Sequence, residues 1–263
     1  MRPIFIISNP RSGSTLMRYL MDAHPDVACP AEIILGAVSQ GLLNTLELLC
    51  ADADYRFETA VDSLAKRCRS IVDGFMLEYC AASNKSRWCD KSPANADFLK
   101  VLGIMYPDAQ FVCLHRGVWD QVASSMEVDG PRRDFAREFL ARHNGNATAA
   151  YIDRWCTTTE TILAFERRHR VSCVRVTYED LVADTDREMS RILSFVGVSK
   201  FPGLDTVAFA MKHSPGPGDQ KIRRLSSVVR TQVGKGSVPE RGTIPSKLLW
   251  RALTLSETIQ KDI

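Results

Sequence analysis

The chain has 263 residues, of which 45% are hydrophobic and 25% are charged, enough for one sizeable domain with a buried core. Its net charge of +3 and its lack of a polybasic tract argue against a nucleic-acid partner. No run approaches the roughly 18 apolar residues that span a bilayer, and the apolar run at residues 4–7 is too short for a signal peptide, so we expect a cytoplasmic protein without a membrane partner.

The elements alternate between strand and helix patterns in chain order. Strand patterns occupy residues 3–8, 88–93, 110–115 and 173–178. Helical patterns occupy residues 14–22, 32–50, 56–82, 94–105, 147–169, 179–196 and 245–259, and the segment 116–126 begins as a loop and becomes a helix. This alternation predicts an α/β fold of the P-loop type, with a central parallel sheet flanked by helices on both faces.

Two segments lack a clear periodic pattern within what we predict to be a single domain, residues 1–263. Residues 127–150, which are mostly polar, are predicted to form a lid or an insertion. Residues 212–242 are rich in Gly, Pro, Lys and Arg. In this second segment Arg230 and the run Gly234-Lys235-Gly236 form a cationic loop whose backbone could close over an anion, and a disordered basic loop is the alternative.

The most informative motif is the run Pro10-Arg11-Ser12-Gly13-Ser14-Thr15 between the first strand and the first helix. A loop in that position presents backbone N–H groups to a phosphate. The run keeps the second glycine and the final hydroxyl of the pattern GxxxxGK[ST], but Ser14 stands at the lysine position. Because that lysine normally contacts the β and γ phosphates of a triphosphate, the motif favours a nucleotide with one 5′-phosphate, held by the loop and Arg11.

Other candidate residues follow later strands or the first helix. Arg116 stands directly after a buried strand and Ser124 follows in the next helix, so the pair could bind a second phosphate or could be an ordinary surface pair. Lys91 could neutralise charge on a leaving group or be an exposed turn residue. Glu32 could act as a general base or cap a helix, and its position alone does not decide.

Metal and hydrolase chemistry are not favoured. The eight cysteines include no CxxC spacing, so the sequence predicts no zinc site and reduced cysteines in the core. The five histidines follow no metal-ligand spacing and no Ser–His–Asp order.

Taken together, these residues resemble the sulfotransferases that use 3′-phosphoadenosine 5′-phosphosulfate (PAPS). The segments 10–18 and 22–27 are especially similar to protein-tyrosine sulfotransferases, and also resemble bacterial sulfotransferases of peptide and polyketide pathways. The resemblance implies transfer of a sulfuryl group from PAPS to a hydroxyl on a small molecule, a peptide or a carrier-bound acceptor. It further implies that adenosine 3′,5′-bisphosphate (PAP) is released and that no metal is needed.

The resemblance also implies a role for each candidate. Glu32 corresponds to the general base, and Lys91 and Arg11 correspond to the cations that stabilise the leaving phosphate. The implied nucleotide-binding residues are Arg11, Ser12, Gly13, Ser14, Thr15, Arg116, Ser124, Tyr178, Arg230, Val233, Gly234, Lys235 and Gly236.

The chain departs from the tyrosine enzymes at several positions. An ungapped match puts Arg230 where those enzymes carry a serine near the sulfuryl group, so that role has no assigned residue. Ala31 replaces their second glutamate, which makes a peptidyl tyrosine a doubtful acceptor. Cys29 and Cys89 fall where the lumenal enzymes carry a disulfide, and we expect two neighbouring thiols here.

Two other functions compete with sulfuryl transfer. A nucleotide or small-molecule kinase would need a lysine at position 14 and a carboxylate for magnesium at a strand end, and the sequence offers neither. A module that binds the phosphoadenosine nucleotide without chemistry would be distinguished by binding without transfer.

Overall fold

A five-stranded parallel sheet forms the centre of the protein in the computed structural model, which describes residues 2–51, 61–129, 137–216, 222–240 and 242–261. The strands are β1 (Ile4–Ser8), β2 (Val27–Ala28), β3 (Arg87–Lys91), β4 (Gln110–His115) and β5 (Cys173–Thr177). Their order in the sheet is β2-β3-β1-β4-β5. Ile6 on β1 is paired with Lys91 on one side and with Val112 on the other. Because the pairings are parallel, the carboxyl ends of the strands lie at one edge, where ligands bind in such folds.

Helices surround the sheet. They are α1 (Ser14–Ala23), α2 (Leu35–Ala51), α3 (Val61–Ala82), α4 (Leu99–Met105), α5 (Val118–Asp129), α6 (Arg137–Arg142), α7 (Ala147–Arg168), α8 (Tyr178–Ala183), α9 (Thr185–Val196), α10 (Leu204–Ala210) and α11 (Ser246–Lys261). The predicted positions 56–60, 130–136, 217–221 and 241 lie outside the described residues.

Alternate residues of β1 enter two different hydrophobic cores, as expected for a strand buried on both faces. Ile4 and Ile6 pack with buried side chains of α1, α8, α9 and α10. Phe5 and Ile7 pack on the other face with α2, α3, α4 and α7. A third cluster joins α5, α7 and α11 around Trp155. The prediction of a parallel sheet with helices on both faces is therefore confirmed.

The structure corrects several predicted elements. The single helix predicted at 179–196 is two helices, because the Asp184 side chain accepts the N–H of Arg187 at 3.1 Å and starts α9 anew. The helix predicted at 94–105 begins as the 3₁₀ segment Pro93–Phe98 before α4. The short strand β2 and the helices α6 and α10 were not predicted.

Asp22, near the end of α1, connects α1 to two other parts of the chain. Its carboxylate accepts the N–H of Cys29 at 3.0 Å and lies 2.8 Å from Nδ1 of His213. Lys85 lies 3.3 Å from the same carboxylate. Burial opposes the charge on Asp22, but the hydrogen bonds of His213 and Cys29 and the charge of Lys85 outweigh burial and lower its pKa.

Replacing Asp22 with asparagine should therefore destabilise the fold at neutral pH by about 3 kcal/mol, because the Lys85 ammonium loses its buried anionic partner. A lowered pKa stabilises the fold above the unfolded value of about 4 and ceases to do so as pH falls through the folded value. The free energy of unfolding, measured in urea from pH 7 down to pH 3, should show the difference between variant and wild type shrinking below about pH 4. A difference independent of pH would contradict the assigned charge.

Candidate active site

The loop after β1 turns into α1 through two residues in the left-handed region. Arg11 has φ 66° and Gly13, which precedes the first helical residue, has φ 85°. No side chain within the described ranges caps α1 at Gly13, and its first turn carries no acidic residue. The Ser12 hydroxyl is buried and has no hydrogen-bond partner among the described residues. A helix start of this kind attracts an anion through its backbone N–H groups and its dipole.

Position 13 must also be a glycine because the Tyr178 ring packs directly against it. A Cβ atom at position 13 would lie 2.3 Å from Cδ2 of the Tyr178 ring, far inside van der Waals contact. Tyr178 is the first residue of α8 and directly follows β5, which is separated from β1 in the sheet by β4. Its ring covers the loop after β1.

Arg116 joins this loop to a distant segment. Its guanidinium donates from Nη1 to the carbonyl of Arg11 at 2.9 Å and from Nη2 to the carbonyl of Gln232 at 2.6 Å. The guanidinium carbon lies 4.5 Å from the centre of the Tyr178 ring. Its Nε is buried without a hydrogen-bond partner in the part of the chain that the structure describes. Ser124 on α5 accepts from Nε of Arg11 at 3.2 Å, so the two predicted phosphate sites lie side by side.

Lys91 and Glu32 form an ion pair in the same region. Lys91 ends β3, the neighbour of β1, and is fully buried. Its ammonium donates to the Glu32 carboxylate. The Glu32 side chain is 22% exposed and lines the central cavity, whereas Lys91 lies behind it. The pair places a carboxylate acceptor and a cation beside the phosphate loop.

A polar network that the sequence analysis missed holds the Glu32 segment. The buried Asp90 carboxylate accepts from the side chains of Ser92 at 3.0 Å and Asn95 at 2.6 Å and from the N–H of Leu35 at 3.3 Å. Burial raises the pKa of Asp90 even though these hydrogen bonds oppose the rise. Ile34 has φ 52°, unusual for a β-branched residue, and its N–H donates to Oγ of Ser92 at 2.9 Å. The only sequence signal was the group of polar residues Asp90, Lys91, Ser92 and Asn95 around the end of β3.

Only part of the loop at 230–236 lines the cavity of the site. Arg230 donates to the carbonyls of Val182, at 3.0 Å, and Ala183, at the end of α8. Val233 and Lys235 are exposed, and the N–H groups of Gly234 and Gly236 donate elsewhere. Of this stretch, the cavity-lining residues among those described are Thr231 and Gln232.

One cavity of about 1110 Å³ brings the other candidates together. The predicted site residues that line it are Arg11, Gly13, Ser14, Thr15, Glu32, Arg116, Ser124 and Tyr178. The same cavity is also lined by Asp97 of the Pro93–Phe98 segment and by Arg154 and Thr158 of α7. Helix α6, inside the predicted lid, contributes Phe139 to the lining.

The cysteines are all described and all are free thiols. Burial, followed by a hydrogen bond with Cys29, raises the pKa of the Cys89 thiol well above its usual range. The two residues are thus neighbouring thiols, as the sequence analysis expected.

The helix start after the central strand, with cations at the ends of both adjacent strands, gives an α/β protein whose sheet edge is suited to attract anionic ligands. The chain belongs to the sulfotransferase family, whose family model matches residues 3–202. Over the described residues, no helix is long and apolar enough to cross a membrane.

Over the aligned residues, two curated relatives are about a quarter identical to the chain. It is 27% identical over 197 residues to a putative protein-tyrosine sulfotransferase of Caenorhabditis briggsae, covering 73% of this chain and 64% of that protein. It is 27% identical over 245 residues to the nodulation protein NoeE of Sinorhizobium fredii, covering 85% of this chain and 57% of that protein. The matches thus span only part of these relatives' lengths.

Solved structures confirm the fold. The sulfotransferase domain of the curacin biosynthetic pathway aligns with a TM-score of 0.68 and 20% identity, covering 97% of each chain. The sulfotransferase domain of the Synechococcus PCC 7002 olefin synthase aligns with a TM-score of 0.69 and 20% identity, covering 100% of this chain and 96% of that chain.

Proposed function

We propose that this chain transfers a sulfuryl group from PAPS to the hydroxyl of an acceptor. The observation that carries the proposal is the shared cavity: the α1 start, Arg116 and the Glu32 carboxylate with Lys91 behind it all meet there. Two separate anion sites suit a nucleotide with phosphates on both sides of its ribose. A carboxylate beside them suits removal of a hydroxyl proton.

Features of the chain fit PAPS. The buried Ser12 hydroxyl and the buried Nε of Arg116 are donors that have no partner in the described ranges, and each belongs to one of the two anion sites. We assign the 5′ side to Arg11–Thr15 and the 3′-phosphate to Arg116 and Ser124, with Tyr178 beside both. A mouse sulfotransferase, SULT7A1, was solved with PAP bound and aligns at a TM-score of 0.50 and 12% identity, covering 99% of this chain and 84% of that chain.

The chain's own residues account for the transfer. When it is bound, PAPS supplies the sulfuryl group, and its 5′-phosphate is the leaving group. Glu32 takes the acceptor's hydroxyl proton while that oxygen forms its bond to sulfur. Lys91 and Arg11 stabilise the negative charge that collects on the phosphate oxygen as its bond to sulfur breaks. The acceptor occupies the end of the cavity beyond Glu32, and we propose a small molecule, a peptide or a carrier-bound hydroxyl.

Calorimetry and a labelled donor test this proposal. PAP should bind without added metal, and labelled PAPS should pass its sulfur to some member of a set of phenols, alcohols and carrier-bound hydroxyls. ATP with magnesium is the control, because a kinase would turn it over. ATP turnover, or failure of PAP to bind, would contradict the proposal, and PAP binding without transfer to any acceptor would favour a binding module.

Replacing Gly13 with alanine should weaken PAP binding by about tenfold. An alanine in the left-handed region costs about 1–3 kcal/mol, each 1.4 kcal/mol of which is a factor of about ten, and its Cβ would also overlap Tyr178. Gly203→Ala is the matched control, since Gly203 has φ 75° and precedes α10 but has open space around it. Equal PAP affinity in the two variants would show that the Gly13–Tyr178 contact does not shape the site.

A further inference from the structure

Asp120, which the sequence analysis did not single out, binds the loop at 230–236. It lies in the first turn of α5 and is 8% exposed. Its Oδ2 accepts the N–H of Gly234 at 2.8 Å, and its Oδ1 accepts the N–H of Gly236 at 2.7 Å. These donors are 114 and 116 residues away in sequence, so the carboxylate makes a tertiary contact and does more than cap its own helix.

The loop fits closely against α5 at this point. A Cβ atom at Gly236 would lie 2.1 Å from the carbonyl oxygen of Trp119 and 2.5 Å from the backbone nitrogen of Asp120. Both neighbours are backbone atoms, so they cannot rotate away as a side chain could. Only glycine lets the loop approach α5 closely enough for both N–H groups to reach Asp120.

Few other bonds hold this loop. The described residues around it, 225–240, include no helix or strand. Arg230 attaches its beginning to α8, and Arg116 holds the carbonyl of Gln232 in its middle. Asp120 attaches its end.

The segment between these attachments is a wall of the cavity. Thr231 and Gln232 line it together with the loop after β1. On the next position of α5, Gln121 donates from Nε2 to the carbonyl of Pro10 at 2.6 Å. Two consecutive residues of α5 thus hold the two sides of the donor site, Asp120 the far loop and Gln121 the phosphate loop.

We propose that Asp120 is a positioning residue for the donor, and this inference rests on the proposed function. By holding Gly234 and Gly236, it keeps Thr231 and Gln232 over the nucleotide and keeps the Gln232 carbonyl within reach of Arg116. Asp120 does not touch the reacting atoms. Its loss should therefore affect donor binding and leave the chemical step and the acceptor nearly unchanged.

The test compares Asp120→Ala with wild type in PAP calorimetry and in steady-state kinetics. We expect the KM for PAPS and the Kd for PAP to rise about tenfold to a hundredfold, since hydrogen bonds to a charged group are among the stronger ones. The turnover at saturating PAPS and the KM for the acceptor should stay within about threefold. Asp120→Asn should give an intermediate effect, because its amide keeps one acceptor oxygen.

Two further variants separate positioning from general destabilisation. Gly236→Ala should reproduce the rise in the KM for PAPS through steric overlap, with the Asp120 charge unchanged. Asp108→Ala is the structural control, because Asp108 accepts two hydrogen bonds from Arg69 on α3, away from the cavity. It should lower the melting temperature and leave PAP affinity unchanged.

The outcomes distinguish this inference from the proposed function. Wild-type protein that does not bind PAP would overturn the proposed function itself. Wild-type protein that binds PAP, together with an Asp120→Ala variant of equal affinity, would overturn only the role of Asp120. A fall in turnover with no change in the KM for PAPS would overturn it as well.

Discussion

Replacing Glu32 with glutamine should stop sulfuryl transfer while PAP binding stays nearly intact. The amide has the shape of the carboxylate but cannot take the acceptor's proton, and general-base catalysis contributes about 10²–10⁴-fold to rate. Donor binding should survive because Glu32 pairs with Lys91, whereas Arg116 bonds to the loop after β1 through the Arg11 carbonyl. Turnover at saturating PAPS should fall at least about a hundredfold.

The measurement is a single-turnover assay with labelled PAPS alongside PAP calorimetry on the same preparation. Glu78→Gln serves as the control, since Glu78 is exposed on α3. If Glu32→Gln transfers sulfur at the wild-type rate, the base is another group or the acceptor itself. If instead PAP binding is lost with transfer, Glu32 holds the site together and its catalytic role is unsupported.

The parts of the fold that sequence predicted are those in which local pattern and tertiary environment agree. The strand β4 was predicted at its observed bounds because its four inner residues, 111–114, form an unbroken buried apolar run between the polar residues Gln110 and His115. The split between α8 and α9 was missed because the hydrophobic periodicity continues across Asp184. The strand β2 has two residues, too few to show any period.

The features of the site also divide into local ones, which the sequence predicted, and contacts between distant residues, which it did not. The loop between β1 and α1 was predicted because it is local: the end of the strand, a tight turn and the beginning of the helix lie within one short run of sequence. The contact of Lys91 with Glu32 joins residues 59 apart, and it depends on β3 lying between β2 and β1, an order that no local pattern encodes. The contact of Asp120 with Gly234 and Gly236 was missed for the same reason. The sequence shows that a glycine-rich loop is conformationally free, but it does not show which distant side chain restrains the loop.

Lys91 raises the question of why a buried ammonium is retained at the end of a core strand. Its charge costs free energy unless it is paired, and its pairing with Glu32 satisfies it in the structure described here. As negative charge forms on the leaving phosphate, the same buried ammonium offers a cation for that charge. Removing one such donor typically lowers turnover by about 10²–10³-fold.

We therefore expect Lys91→Met to lower turnover by about a hundredfold or more while destabilising the fold less than Lys91→Ala, because methionine fills the space of the lysine stem and the unpaired Glu32 carboxylate is 22% exposed. Lys91→Ala should lower turnover equally and also lower the melting temperature, because it leaves a cavity. The comparison separates charge from packing: turnover follows the ammonium in both variants, whereas stability follows the volume of the side chain. Wild-type turnover in Lys91→Met, with Lys100→Ala on the surface of α4 as the reference, would show that the Lys91 charge serves only to hold Glu32 in place.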